Sequence, residues 1–129
     1  MCSDRPCAAG YAEPLPQSCP PRGADSSGGQ YHRLVESIPP TIEDFKSHRE
    51  RFPDRAFTVT ECRARSVSLL KSVEQCNQLL KLPTLRGRLI VVLEIPSNTG
   101  AMQKTGGPHH YSWWRCGAFN PIPYCREVR

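Results

Sequence analysis

The seven residues from Leu89 to Ile95, LIVVLEI, constrain this chain more than any others. Six of the seven are apolar, and four of them (Ile90, Val91, Val92 and Ile95) branch at Cβ. Gly87 and Pro96 bound the run. A short β-branched stretch between two breakers reads as a strand, and apolar residues at both alternating positions read as burial on both faces. The run is therefore expected in the middle of a sheet. Glu94 falls on the face of Ile90 and Val92.

The other elements arrange themselves around it. Tyr31–Ser37 alternates as a strand, with Tyr31, Arg33 and Val35 on one face and His32 and Leu34 on the other. Pro39 and Pro40 end it. Thr41 then caps a helix over Ile42–Arg51, with Asp44 at the N3 position and Ile42, Phe45 and Phe52 on its apolar side. Pro53 closes that helix. Residues 54–65 are irregular and basic, and a short strand or turn follows at Arg65–Leu69. Ser72 caps a second helix, with Gln75 three residues on, and Leu69, Val73, Cys76 and Leu80 form a helical stripe. Residues 97–108 read as a flexible loop rich in turn residues. His109–Trp114 reads as an aromatic strand, and a last strand falls within Tyr124–Val128. This order defines an α+β domain: a small mixed or antiparallel sheet with two helices.

Residues 1–30 differ in composition, with five Pro, four Gly and four Ser. Leu15 is their only branched aliphatic residue, too little apolar surface to offset the entropy of ordering. The expectation is a disordered tail over 1–30 and a single α+β domain over 31–129. The tail carries a formal charge of −1, so residues 31–129 carry +6 and the chain nets +5. No stretch approaches the roughly 20 apolar residues of a membrane span, and none resembles a secretory h-region. The seven Cys are odd in number and lack metal-knuckle spacing, so no metal site is expected. Cys62 and Cys76 read as small buried apolar residues. A reducing, cytoplasmic location is the expectation, with no membrane partner.

Several short patterns carry a resemblance. They are Tyr31-His32-Arg33, Pro39-Pro40-Thr41 with Asp44-Phe45 and Ser47, Ser66-Val67-Ser68, Gly87 to Pro96, and Gly107-Pro108-His109-His110-Tyr111 with Trp114. Together they resemble a group of small uncharacterised bacterial proteins over residues 31–115. A more distant likeness is to the ADP-ribosyltransferase fold, through Arg33, the pair Ser66/Ser68, and Glu94 in that order. That likeness implies an NAD-dependent enzyme. Arg33 would grip the pyrophosphate, Ser68 would orient the nicotinamide ribose, and Glu94 would steady an oxocarbenium-like transition state. The middle residue Val67 and the Glu94-Ile95-Pro96 ending depart from that fold's usual patterns. NAD is a cofactor only on this reading.

Each candidate also has a structural role open to it. Arg33 can protect an edge strand, Glu94 can pair with Arg33, and Ser66 and Ser68 can bond their own turn. His109 and His110 titrate near neutrality and suit acid–base work, or one faces solvent while the other packs. Of Trp113 and Trp114, one is expected in the core and one at the surface. The candidate ligand-binding set is His32, Ser66, His109, His110, Tyr111 and Trp114; the candidate catalytic set is Arg33, Ser68 and Glu94. The leading functional reading is a module binding a small molecule or a protein partner. The alternatives are the NAD-dependent transferase and, from paired tryptophans in a basic domain, a binder of single-stranded nucleic acid.

Overall fold

Six strands form one open sheet in the computed structural model, which describes residues 7–128. They are β1 (Gly29–Val35), β2 (Val67–Leu70), β3 (Leu89–Ile95), β4 (Gly100–Lys104), β5 (His110–Arg115) and β6 (Cys125–Glu127). Their spatial order is β4-β5-β2-β1-β3-β6, and every pairing is antiparallel. Three short helices accompany them: α1 (His48–Arg51), α2 (Glu61–Ala64) and α3 (Val73–Leu79). The class is α+β, as the sequence implies, with three helices in place of two.

The LIVVLEI run is β3, an interior strand. It pairs with β1 along its whole length and with β6 over Val91–Leu93. Val91, Val92 and Leu93 are buried in succession, so both faces are covered there. It lies one strand in from the edge, and β2 and β1 hold the centre. Tyr31, Val35, Val67, Leu69, Val91, Leu93, Ile95, Met102 and Trp113 pack on one face with Phe45. Removing each such large side chain from water stabilises the fold by roughly 2 kcal/mol.

β1 and β2 share a single register pair, His32 with Leu70. Beyond it the ladder is replaced by side-chain chemistry. The Arg33 Nε donates to the Asp44 carbonyl at 2.7 Å, and its Nη1 donates to the Ser68 carbonyl at 2.6 Å. The guanidinium carbon lies 5.8 Å from the Phe45 ring centre. Arg33 is thus a strut between strands rather than an edge guard.

Three further expectations change. The helix over Ile42–Arg51 is two pieces: a 3-10 turn at Ile42–Phe45, where Thr41 N donates to the Asp44 carboxylate, and α1, capped by Ser47. The break falls where Glu13 takes Ser47, accepting from its backbone N at 2.9 Å and its Oγ at 2.5 Å. Leu69 belongs to β2 and not to the α3 stripe, whereas Cys76 is buried and Ser72 caps α3 as expected. The supposed loop 97–108 contains β4, paired with β5 from Gly100 to Lys104.

The largest correction concerns the supposed tail. Residues 1–6 lie outside the described residues, but 7–28 run as an ordered strap along the domain. Tyr11 bridges Cys116, and Asp25 exchanges backbone hydrogen bonds with Met102 at 2.9 and 2.7 Å. Two disulfides fasten the strap, Cys7–Cys116 and Cys19–Cys62. Crosslinks supply the order that apolar content could not. Cys62 is therefore a half-cystine, not a buried apolar thiol. Cys76 and Cys125 are the free thiols among the described residues. No helix among the described residues is long and apolar enough to cross a membrane.

Candidate functional site

Antiparallel register decides which candidates meet. Gln30 sits opposite Glu94, Tyr31 opposite Leu93, and Arg33 opposite Val91. Directly paired residues project to the same face. Glu94 therefore shares a face with Gln30 and His32, while Arg33 points through the other. Ser68 shares the His32 face through the pairing of His32 with Leu70. The sheet separates Arg33 from Ser68 and Glu94, and the three do not form one cleft. Burial pulls the Arg33 guanidinium down to about 10, and it stays protonated at neutral pH. Glu94 forms no ion pair with it and is exposed.

The remaining candidates fall into structural duties. Ser66 donates from Oγ to the Arg63 carbonyl at 2.7 Å, closing the turn after α2. His110 holds Nδ1 3.1 Å from the Thr105 carbonyl, and Thr105 Oγ1 lies 2.8 Å from Ser112 Oγ. These contacts brace the β4–β5 hairpin. His110 and His32 both titrate below their ordinary value, chiefly because burial disfavours the imidazolium. His109 is exposed, and its carbonyl accepts from Lys71 N at 3.0 Å. Tyr111 meets Tyr31 edge-on at 5.2 Å, and the Lys71 ammonium covers both rings, 4.3 Å from Tyr31 and 5.7 Å from Tyr111. Trp113 and Trp114 are both buried. Trp114 faces away from the main core and donates Nε1 to the Cys62 carbonyl at 2.8 Å.

Two hollows accompany these residues. One, between the strap and the sheet, is lined by Tyr11, Glu13, Phe45, Arg65, Trp113 and Trp114 among others. At about 10 Å³ it has room for about one water. The other is an open groove of about 390 Å³ lined by Gly29, Gln30, Glu94, Ile95, Pro96 and Tyr124. Of the candidate residues, only Glu94 reaches it.

Next to the groove, the chain entering β1 approaches β3 closely. Gly28, at φ +77°, lies so near β3 that a Cβ there would meet the Ile95 carbonyl oxygen at 2.2 Å. The left-handed conformation and the contact both demand glycine. β6 stops opposite Leu93, and the 3-10 turn Ile122–Tyr124 packs beside β3 before it. This turn presents the Tyr124 ring, which is 42% exposed. Phe119 holds that ring at 5.0 Å between centroids, and Trp113 backs Phe119 at 6.1 Å. The result is a shallow hollow at the end of β1 and β3, bordered by Gly29, Gln30, Glu94, Ile95 and Pro96, with the part-exposed Tyr124 at its rim.

Sequence reasoning missed Gln30, Tyr124 and the glycine floor. The available signal was the Gly28-Gly29 pair entering one strand and Pro96 leaving another. Among the described residues no three His, Cys, Asp or Glu side chains group as a metal would require. No protein-family model, curated protein or solved structure matches the chain.

Proposed function

We propose that this chain is a disulfide-stapled binding module that receives a protein partner in the groove between Gln30, Glu94 and Tyr124. The observation carrying the reading is the pre-set Tyr124 ring, which stands exposed yet backed by Phe119 and Trp113. An exposed aromatic held in place loses little freedom on binding, which favours affinity. The groove is open along its length, and that suits a side chain of an extended segment better than an engulfed small molecule. The transferase reading lacks such support: two Arg33 donors are committed to backbone carbonyls, and the sheet stands between Arg33 and Glu94. The two disulfides favour an oxidising compartment over the cytoplasm expected from sequence, because cytosolic thiols are kept reduced.

Selection from a displayed peptide library against the folded, oxidised chain tests the proposal. Selected peptides should bind the native protein and lose at least tenfold in affinity to Tyr124→Ala. Selection that yields only peptides indifferent to Tyr124→Ala would overturn it.

A further inference from the structure

The strap is fastened to the domain without being part of its core. None of residues 7–28 is buried, and every member of the core cluster lies at Tyr31 or beyond. The apolar core is therefore complete without the strap. Besides the two disulfides, hydrogen bonds hold it in place. Ala12 N donates to the Arg115 carbonyl, Gly117 N to the Gly10 carbonyl and Asn98 N to the Ser26 carbonyl, and Asp25 exchanges two bonds with Met102. The Glu13 carboxylate accepts from Ser47 N and Oγ. Burial pushes the Glu13 carboxyl up, so this seat favours the charge less than water does.

The strap covers two features of the domain. Tyr11, Glu13 and Leu15 close the small hollow whose other side includes Phe45, Val67 and Trp113, all three buried. β4 is an edge strand, and Asp25 occupies its outer side at Met102. The Cys19–Cys62 link is anchored beside Trp114, whose indole donates to the Cys62 carbonyl. A segment crosslinked at two points cannot leave its seat. Without the links, a segment that buries no residue opens locally at a free energy well below that of global unfolding.

We infer that residues 7–27 form a redox-released latch. Reduction of Cys7–Cys116 and Cys19–Cys62 lets the strap leave a sheet that stays folded, uncovering the Trp113 hollow and the outer edge of β4. Gly28, wedged against Ile95 and Pro96, marks where the release ends. Each link has at least one partly exposed cysteine: Cys7 in the first, Cys19 and Cys62 in the second. A dithiol reductant brings two electrons and two protons to each link, yields the paired thiols and leaves as its own disulfide. Passage from an oxidising to a reducing compartment would open the latch. The latch is independent of what the groove binds.

Amide hydrogen exchange and tryptophan emission of the full chain, first oxidised and then treated with excess dithiothreitol, test it. On reduction the amides of Ala12, Asp25, Ser47 and Met102 should lose protection at least tenfold, while those of β1 and β3 change less than threefold. Tryptophan emission should move to the red, and reoxidation should restore both readouts. The variant combining Cys7→Ser, Cys19→Ser, Cys62→Ser and Cys116→Ser should show the open pattern without reductant and keep the circular dichroism of the oxidised chain. Unchanged protection at Ala12 and Asp25 once all four cysteines react as thiols overturns the latch. Equal loss of protection in β1 and β3 overturns it too, because the links would then hold the whole fold and not the strap. Links that resist the dithiol overturn its redox control. Opened strap amides with unmoved tryptophan emission overturn the uncovering of the hollow.

Discussion

The Nη1 of Arg33 stands 2.6 Å from the main-chain oxygen of Ser68, across the gap where β1 and β2 cease to pair. A side chain here does the work of a ladder rung. With its Nε on the Asp44 carbonyl, it also fixes the turn that carries Phe45 into the core. Both bonds are charge-assisted, and both acceptors lose their partner if the fork is removed. Arg33→Met should therefore cost about 3 kcal/mol. Urea denaturation checks this. A loss below about 1 kcal/mol would make the strut ornamental.

The strap makes a second prediction. Pairing Cys19 with Cys62 closes a loop spanning 43 positions. Crosslinks over loops of this size contribute about 4 kcal/mol in the chain-entropy account, by limiting the unfolded chain. Replacing both with Ser should lower stability by about that amount while keeping the sheet. Amide exchange should speed up in residues 12–25 more than in β1 or β3, because those segments are held from different sides.

Trp114 offers a sharper local test. Trp114→Phe preserves most of the apolar bulk but removes the donor to the Cys62 carbonyl. The Cys62 carbonyl keeps only a longer bond from Arg65 N at 3.3 Å, so losing the indole donor costs about 1 kcal/mol. The variant should lose about that much in thermal or urea unfolding. Trp114→Tyr should lose a similar amount, since its hydroxyl does not stand at the indole nitrogen's position.

Acid should weaken the fold. His32 and His110 titrate below 6.5, with burial the leading cause for each. In the unfolded chain they return to about 6.5, so that state takes up protons first as the pH drops. Their contribution is complete above about pH 6.5 and is lost as the pH falls through the lower, folded values. The urea midpoint should be lower at pH 5.5 than at pH 7.5, with net proton uptake on unfolding. His110→Gln should narrow the difference between the two conditions.

Gly28 tests the close approach of the strap to β3. At φ +77° and with its missing Cβ 2.2 Å from the Ile95 carbonyl oxygen, it admits no side chain without displacing β3 or the strap. Gly28→Ala should cost about 2–3 kcal/mol, the range expected of strain at a special backbone position. Gly107→Ala, with open space around its Cβ position, is the matched control and should change little.

The sequence made β3 legible because six apolar residues between Gly87 and Pro96 leave no other element to build. Ser72 and Gln75 likewise marked α3, and Thr41 with Asp44 marked a capped turn. The sequence concealed β4 because Gly100-Ala101-Met102 carries little strand preference of its own and owes its form to pairing with β5. Trp113 and Trp114 are both buried, where one was expected at the surface, because β5 is interior and the Cys62 carbonyl of α2 meets Trp114 on the second face, which no local pattern announces. The strap escaped detection for a different reason. Its composition forbids self-sufficient order, and an odd cysteine count hides which thiols meet across 109 positions. Of the candidate site, Glu94 could be singled out, but its surroundings come from residues 29–30 and 124, remote in the chain.

The Cys7–Cys116 link turns nearly the whole polypeptide into a closed ring. A protease that cuts an exposed turn within it, such as the one around Gly106-Gly107, opens the ring without releasing a fragment. Such a nicked molecule would migrate as one piece on a denaturing gel until a thiol reductant is added. A clipped population could therefore persist unnoticed, its two halves still holding the sheet in register.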